Sequence, residues 1–172
     1  MVNIPYLLKI LNTEDSLELA QNIDLPALDI NLSIHKARDE GSVEVDREKG
    51  TVKITGKVKP SCDELLAAKL FRMMEYYADE QKNITRGRLN FMVKAPGDEN
   101  TYPWHEYLMA LQWLIDTGRV IEYEIDVPES KKKNGNPYHK FVFLGIATND
   151  EVNEEWNTKE VQKWLDTFEK SK

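Results

Sequence analysis

The strongest constraint on this chain is a change of period that it makes twice, each time across a glycine. Between Pro26 and Glu40 a helix is predicted, with Leu28, Ile30, Leu32, Ile34 and Ala37 giving it a broad apolar side. Past Gly41 the apolar residues alternate singly, Val43 and Val45 against Glu44 and Asp46. Between Pro103 and Thr117, Trp104, Leu108, Leu111 and Ile115 recur at intervals of four, three and four. Past Gly118, Ile121, Tyr123, Ile125 and Val127 alternate with Glu122, Glu124 and Asp126. A spacing near 3.6 lines one side of a helix, and a spacing of two lines one face of a strand. Each glycine therefore marks a helix that stops abruptly and reverses into a half-wet strand. Glycine suits that place because it tolerates the left-handed backbone that such a stop requires.

The segments around the two switches repeat an order. In the first, a helix is predicted over Pro5–Leu11, then a turn at Asn12–Asp15 with several possible caps. A short helix follows over Ser16–Ile23, and Asp24-Leu25-Pro26 breaks it. Pro26 suits the first turn of the helix that ends at Gly41. Residues 43–58 read as a hairpin turning at Arg47–Gly50, with its acids across from Lys53 and Lys57. In the second, Ser61 is placed to cap a helix over Cys62–Glu80, with Leu66, Leu70, Met74 and Tyr77 on one stripe. Thr85 is placed to cap a helix over Arg86–Lys94. Ala95–Asn100 is a loop by composition. The third helix leads to a second hairpin over residues 120–144. A last amphipathic helix, Thr158–Phe168, follows an acidic stretch. The fold class expected is α+β: a unit at 1–60, a unit at 61–146, each of three helices followed by a β-hairpin, and an acidic linker with a C-terminal helix at 147–172.

Two helical triplets, each followed by a hairpin, resemble tandem winged helix-turn-helix domains. The run LELAQNIDLPALDINLSIHKARDEGSVEVD is similar to that superfamily's passage from second helix through third helix to wing. The second unit ends its third helix in a like way, LMALQWLIDTGRVIEYEID, which puts Gly118 and Gly41 in equivalent places, 77 residues apart. The second unit departs from the pattern in a longer polar loop at 95–102 and an extended wing. The resemblance implies a binding domain for DNA, RNA or protein, since the fold serves all three.

Charge narrows the choice. The chain carries 23 Lys and Arg against 30 Asp and Glu, a net charge of −7. Residues 1–60 hold 8 basic and 10 acidic side chains, residues 61–146 hold 11 and 13, and residues 147–172 hold 4 and 7. No long basic tract exists, which argues against non-specific coating of nucleic acid by phosphate neutralisation. Specific binding through a local patch stays open. Apolar runs are only a few residues long, so no membrane span is expected. The start, Met1-Val2-Asn3-Ile4-Pro5, lacks the pattern of a secretory signal. Cys62 is the single cysteine, which allows no internal disulfide and suits a reducing cytoplasm.

Three groups of side chains are candidates for function. On the third helix, Asn31, His35 and Arg38 lie at i, i+4 and i+7, with Lys36 and Ser33 beside them. The resemblance implies that this helix enters a major groove, where Asn suits adenine and Arg suits guanine. The plainer interpretation is a solvated face that also holds Asp29 and Asp39. The second wing holds the densest basic cluster, Lys131, Lys132, Lys133, His139 and Lys140, which Arg86, Arg88 and Lys94 would extend along a phosphate backbone. A solubilising turn has the same composition. Glu122, Glu124 and Asp126 align on one strand face, as magnesium ligands or as the wet side that alternation alone produces. The third helix of the second unit is expected to turn His105, Glu106, Gln112 and Asp116 outward. That acidic face, with Trp113, suits a protein partner better than DNA. Tyr102, Trp104, Tyr107 and Trp113 are expected to pack in a core or interface. The histidines are scattered, no zinc spacing occurs, and no Gly-rich phosphate loop or nucleophile motif occurs, so neither cofactor nor catalysis is expected. The leading expectation is a DNA-binding regulator of transcription or replication. Its rivals are a protein-interaction adaptor of tandem winged helices and an acidic inhibitor of a nucleic-acid-binding protein.

Overall fold

A computed structural model describes residues 2–78, 83–94, 102–126 and 140–146. The predicted C-terminal helix at 158–168, the loop at 95–101 and the cluster Lys131, Lys132, Lys133 and His139 lie outside the described residues. The protein is of mixed helix and antiparallel strand, of class α+β. It divides into two compact units. One is Met1–Ala67 with Tyr102–Trp113, and the other is Ala68–Thr101 with Leu114–Lys172.

In the first unit, α1 (Ile4–Leu11) begins at Asn3, whose Oδ1 accepts the Tyr6 N–H, with proline in the first turn. It buries Ile4, Tyr6, Leu7 and Leu8. The α2 helix (Ser16–Gln21) is capped by Asp15, whose Oδ1 accepts the Leu17 N–H at 2.9 Å. The α3 helix (Ala27–Asp39) starts after Pro26 and stops at Gly41, where φ is +77°. Strands β1 (Val43–Asp46) and β2 (Thr51–Ile54) then pair antiparallel, with Glu44 opposite Lys53. The segment before α2 runs alongside β2 as a short third edge of the hairpin: Asp15 bridges Thr51, and the Val52 N–H donates to Glu14 O at 2.8 Å.

Strand β2 ends at Ile54, short of the expected hairpin end at Val58. Beyond the sheet, Asn3 Nδ2 donates to Lys59 O at 3.0 Å and to Ser61 Oγ at 2.7 Å, which holds this stretch beside the start of α1. Ser61 is therefore occupied with Asn3 and does not cap the next helix. Asp63 does so, its Oδ1 accepting from Leu65 and Leu66.

The α4 helix (Glu64–Tyr77) buries Ala67, Ala68, Leu70, Phe71, Met73 and Met74. Strand β3 (Asn83–Thr85) follows, a strand that no period in the sequence signals. Next come α5 (Arg86–Lys94), α6 (Trp104–Asp116), β4 (Val120–Asp126) and β5 (Lys140–Ile146). The Thr85 Oγ1 accepts the Arg88 N–H at 3.3 Å in the first turn of α5. Gly118 stops α6 with φ +79°. The sheet order is β3-β5-β4, all antiparallel, with Val120 opposite Ile146 and Asp126 opposite Lys140. The division into two units falls within α4 and α6.

The chain thus runs twice through one order: helix, short pairing segment, helix, helix, hairpin. In both passes the short segment pairs with the second strand of the hairpin. No helix among the described residues is long and apolar enough to cross a membrane.

Candidate functional site

The site that the first unit builds is the outward side of α3. Helical geometry with 3.6 residues per turn places Ile30, Ser33 and Ala37 together, and these three are its buried residues. The opposite side carries Leu28, Asn31, Leu32, Lys36, Arg38 and Asp39 exposed, with His35 half-buried. Two expectations change here. Ser33 is 3% exposed and accepts the Val2 N–H through Oγ at 3.3 Å, so it faces the core and not a ligand. Leu28 and Leu32, expected in the apolar core side, are 69% and 49% exposed. The alternation Leu28-Ile30-Leu32-Ile34 spans more than one helical side, and the side that α1 and β1 cover is the one through Ile30 and Ala37.

Each cation of this face has an acidic neighbour. Lys36 Nζ lies 3.9 Å from Glu40, one turn on, and Arg38 Nη2 lies 3.4 Å from Asp39. Such exposed pairs hold little energy, about 0–1 kcal/mol, and exchange readily for another anion.

Two concavities flank α3. On one side Asn31, Ile34 and His35 face Val45, Arg47 and Thr51 of the hairpin. On the other, Lys36 and Glu40 share a hollow with Ser42, Lys57 and Lys59 beside the start of α1. Lys57 and Lys59 are exposed and in no ion pair among the described residues. Their alternation with Val58 reads as the wet face of a strand, which hides them from a search for sites. Gly56 and Pro60, which bracket them, are the one signal that the strand has ended.

The candidates at residues 61–146 are separately engaged. The Arg86 guanidinium pairs with the Glu122 carboxylate, so the acidic strand face is partly neutralised by α5. The Arg88 guanidinium lies 5.7 Å from the Tyr77 ring centroid, within cation–π range. Lys140 begins β5 opposite Asp126. Along α6, Trp113 is half-buried and Asp116 exposed. His105, expected to point outward, is 3% exposed. Its Nδ1 accepts the backbone N–H of Asp24 at 3.1 Å, a partner 81 residues away that no local pattern announces. Trp104 packs on Tyr107 with ring centroids 4.9 Å apart.

Comparison with protein-family models, with curated proteins and with solved structures finds no match to this chain.

Proposed function

We propose that the protein binds duplex DNA, as a regulator of transcription or replication, through a winged-helix unit at residues 1–60 whose α3 meets the major groove. The order helix, pairing segment, helix, helix, hairpin supports the winged-helix assignment of this unit and of the one at 61–146. The observation that carries the DNA reading is the gathering of Lys36, Lys57 and Lys59 around one hollow beside α3. In an acidic chain, residues 27–59 hold seven Lys and Arg against six Asp and Glu, so this stretch is close to neutral and opposes a phosphate backbone less than the chain as a whole. Asn31, His35 and Arg38 then stand at base-edge positions, and Leu28 and Leu32 suit thymine methyl groups.

A labelled duplex pool, titrated at two salt concentrations, tests this. Binding is expected to weaken steeply with salt. Lys57→Ala with Lys59→Ala should weaken binding to all sequences and reduce the salt slope by about 0.9 for each phosphate no longer neutralised. Arg38→Ala should instead cost about 1–3 kcal/mol at one base position and little elsewhere. A wild-type chain that binds no duplex at low salt defeats the proposal.

A second reading, a protein-interaction adaptor, is favoured by one observation. Leu28 and Leu32 stand exposed on the centre of the same face, close in sequence to exposed Leu25. Grouped exposed apolar side chains mark protein interfaces more often than DNA interfaces. Substituting Leu28→Ser with Leu32→Ser separates the two: on the DNA reading it should weaken binding at thymine positions and leave the salt slope of the wild type unchanged, unlike the lysine pair.

A further inference from the structure

The buried His105 has no part in the α3 face, yet it occupies a position with a chemical consequence. It lies in the first turn of α6, and its Nδ1 accepts the Asp24 N–H at 3.1 Å. One residue earlier, Trp104 Nε1–H donates to Asn22 Oδ1 at 3.1 Å. Asn22 is itself oriented, its Nδ2 donating to Glu18 O at 2.9 Å. These bonds fasten the start of α6 to residues 22–24, the corner between α2 and α3. Asp24 is two residues before Pro26, the N-cap of α3.

The two bonds differ in kind. The indole–amide bond has no proton to gain near neutrality. The imidazole bond needs a lone pair on Nδ1, which only the neutral ring offers, because both ring nitrogens are donors once the ring is protonated. Protonation would set an N–H against the Asp24 N–H in a buried place, turning a bond into two opposed donors.

We propose that His105 is a pH-sensitive latch, closed on the α2–α3 corner while neutral and opened by protonation. Among the described residues, the charged groups that act on the ring are Glu106 on α6 and Asp24 on the segment α6 meets. Burial pulls the pKa of His105 below its ordinary value, and Glu106 and Asp24 act in the opposite direction without overcoming it. The latch is independent of what α3 binds.

The unfolded chain takes up this proton near pH 6.5, as a rough reference value, whereas the folded chain resists it. Below that pH the unfolded state holds more protons, so stability is complete above it and falls as the pH drops. His105→Asn places Oδ1 near the position of Nδ1 and accepts the same N–H without titrating. Thermal unfolding of the full chain between pH 7.5 and 5.5 should show the Tm of the wild type falling faster than that of His105→Asn. The widening should reach at most about 3–5 °C per pH unit. Carboxylates and the other histidines are common to both proteins and cancel in the difference. Hydrogen exchange of the Asp24 amide in the wild type, corrected for intrinsic rate, should lose protection over the same range. Parallel Tm profiles overturn the latch, as does Asp24 protection that is equal at pH 7.5 and 5.5. The exchange measurement decides the matter even if the substituted chain does not fold.

Discussion

The third helices of the two triplets, α3 and α6, end alike and live differently. Each stops at a left-handed glycine and feeds an antiparallel hairpin. Yet α3 buries only Ile30, Ser33 and Ala37, a single narrow side, whereas α6 buries His105, every residue from Tyr107 to Leu111, and Leu114. Five consecutive buried positions cover more than a full turn, so α6 is enclosed on all sides over that stretch. A repeated order of elements therefore does not carry a repeated role. The first third helix presents a surface and the second is a core strut, which leaves α3 as the one of the two able to lay a whole side against a ligand.

The largest effect that would break this contrast is on stability. Leu111→Ala, at a fully buried position, is expected to cost about 2–5 kcal/mol through the apolar burial removed and the cavity left behind. Leu28→Ala, with most of its side chain in solvent, should stay within about 0.5 kcal/mol. Urea unfolding with matched m-values reads both. A large destabilisation at Leu28 would mean that α3 is covered, and the presenting face would go with it.

The same contrast explains how far the sequence could be read. Both switches of period, the helix at 86–94 and both glycine stops were visible, because each depends on interactions within a few residues. Which side of a helix is buried was not. In α3 the leucines at 28 and 32 look like core, and only the packing of α1 and β1 against Ile30 and Ala37 turns them outward. In α6, His105 looks like a surface residue, and only an N–H from 81 residues away makes it an interior acceptor. The α3 face was partly legible: Asn31, His35, Lys36 and Arg38 avoid the core by spacing alone. Spacing also assigns Ser33 to it, whereas the packing buries that residue, and Lys57 and Lys59 line the hollow beside it past the end of β2 at Ile54. Strand β3 is three residues long, too short to show a period.

A middle-sized effect sharpens the comparison where the two helices agree. A Cβ at Gly41 or Gly118 would meet nothing within 4 Å, so alanine there costs only the left-handed backbone. Gly41→Ala and Gly118→Ala should each destabilise by about 1–2 kcal/mol, and by nearly equal amounts. Equality would show that the helix stop is a local device, indifferent to whether the helix before it is exposed or enclosed. A much larger cost at Gly118 alone would show that the turn after α6 is also held by packing.

The smallest effect concerns the two hairpins. Glu44 and Lys53 are direct cross-strand partners, both exposed, in the first. In the second, Glu122 leaves its strand to pair with Arg86 on α5, both side chains being partly sheltered. An exposed cross-strand pair contributes about 0.2–1 kcal/mol and is screened by salt, because water competes for both charges. The Arg86–Glu122 pair ties a helix to a sheet and loses less to solvent, so its coupling should be the larger and the less sensitive to salt. Double-mutant cycles, Glu44→Ala with Lys53→Ala and Glu122→Ala with Arg86→Ala, measured by urea unfolding at low and high salt, isolate each coupling from the rest of the fold. If the first hairpin's coupling equals or exceeds the second's at high salt, the acidic strand β4 is no better anchored by charge than the hairpin of the first unit. The view of the second triplet as the strut and the first as the presenting surface would then lose its electrostatic support, while the burial contrast between α3 and α6 would stand on the Leu111 and Leu28 substitutions alone.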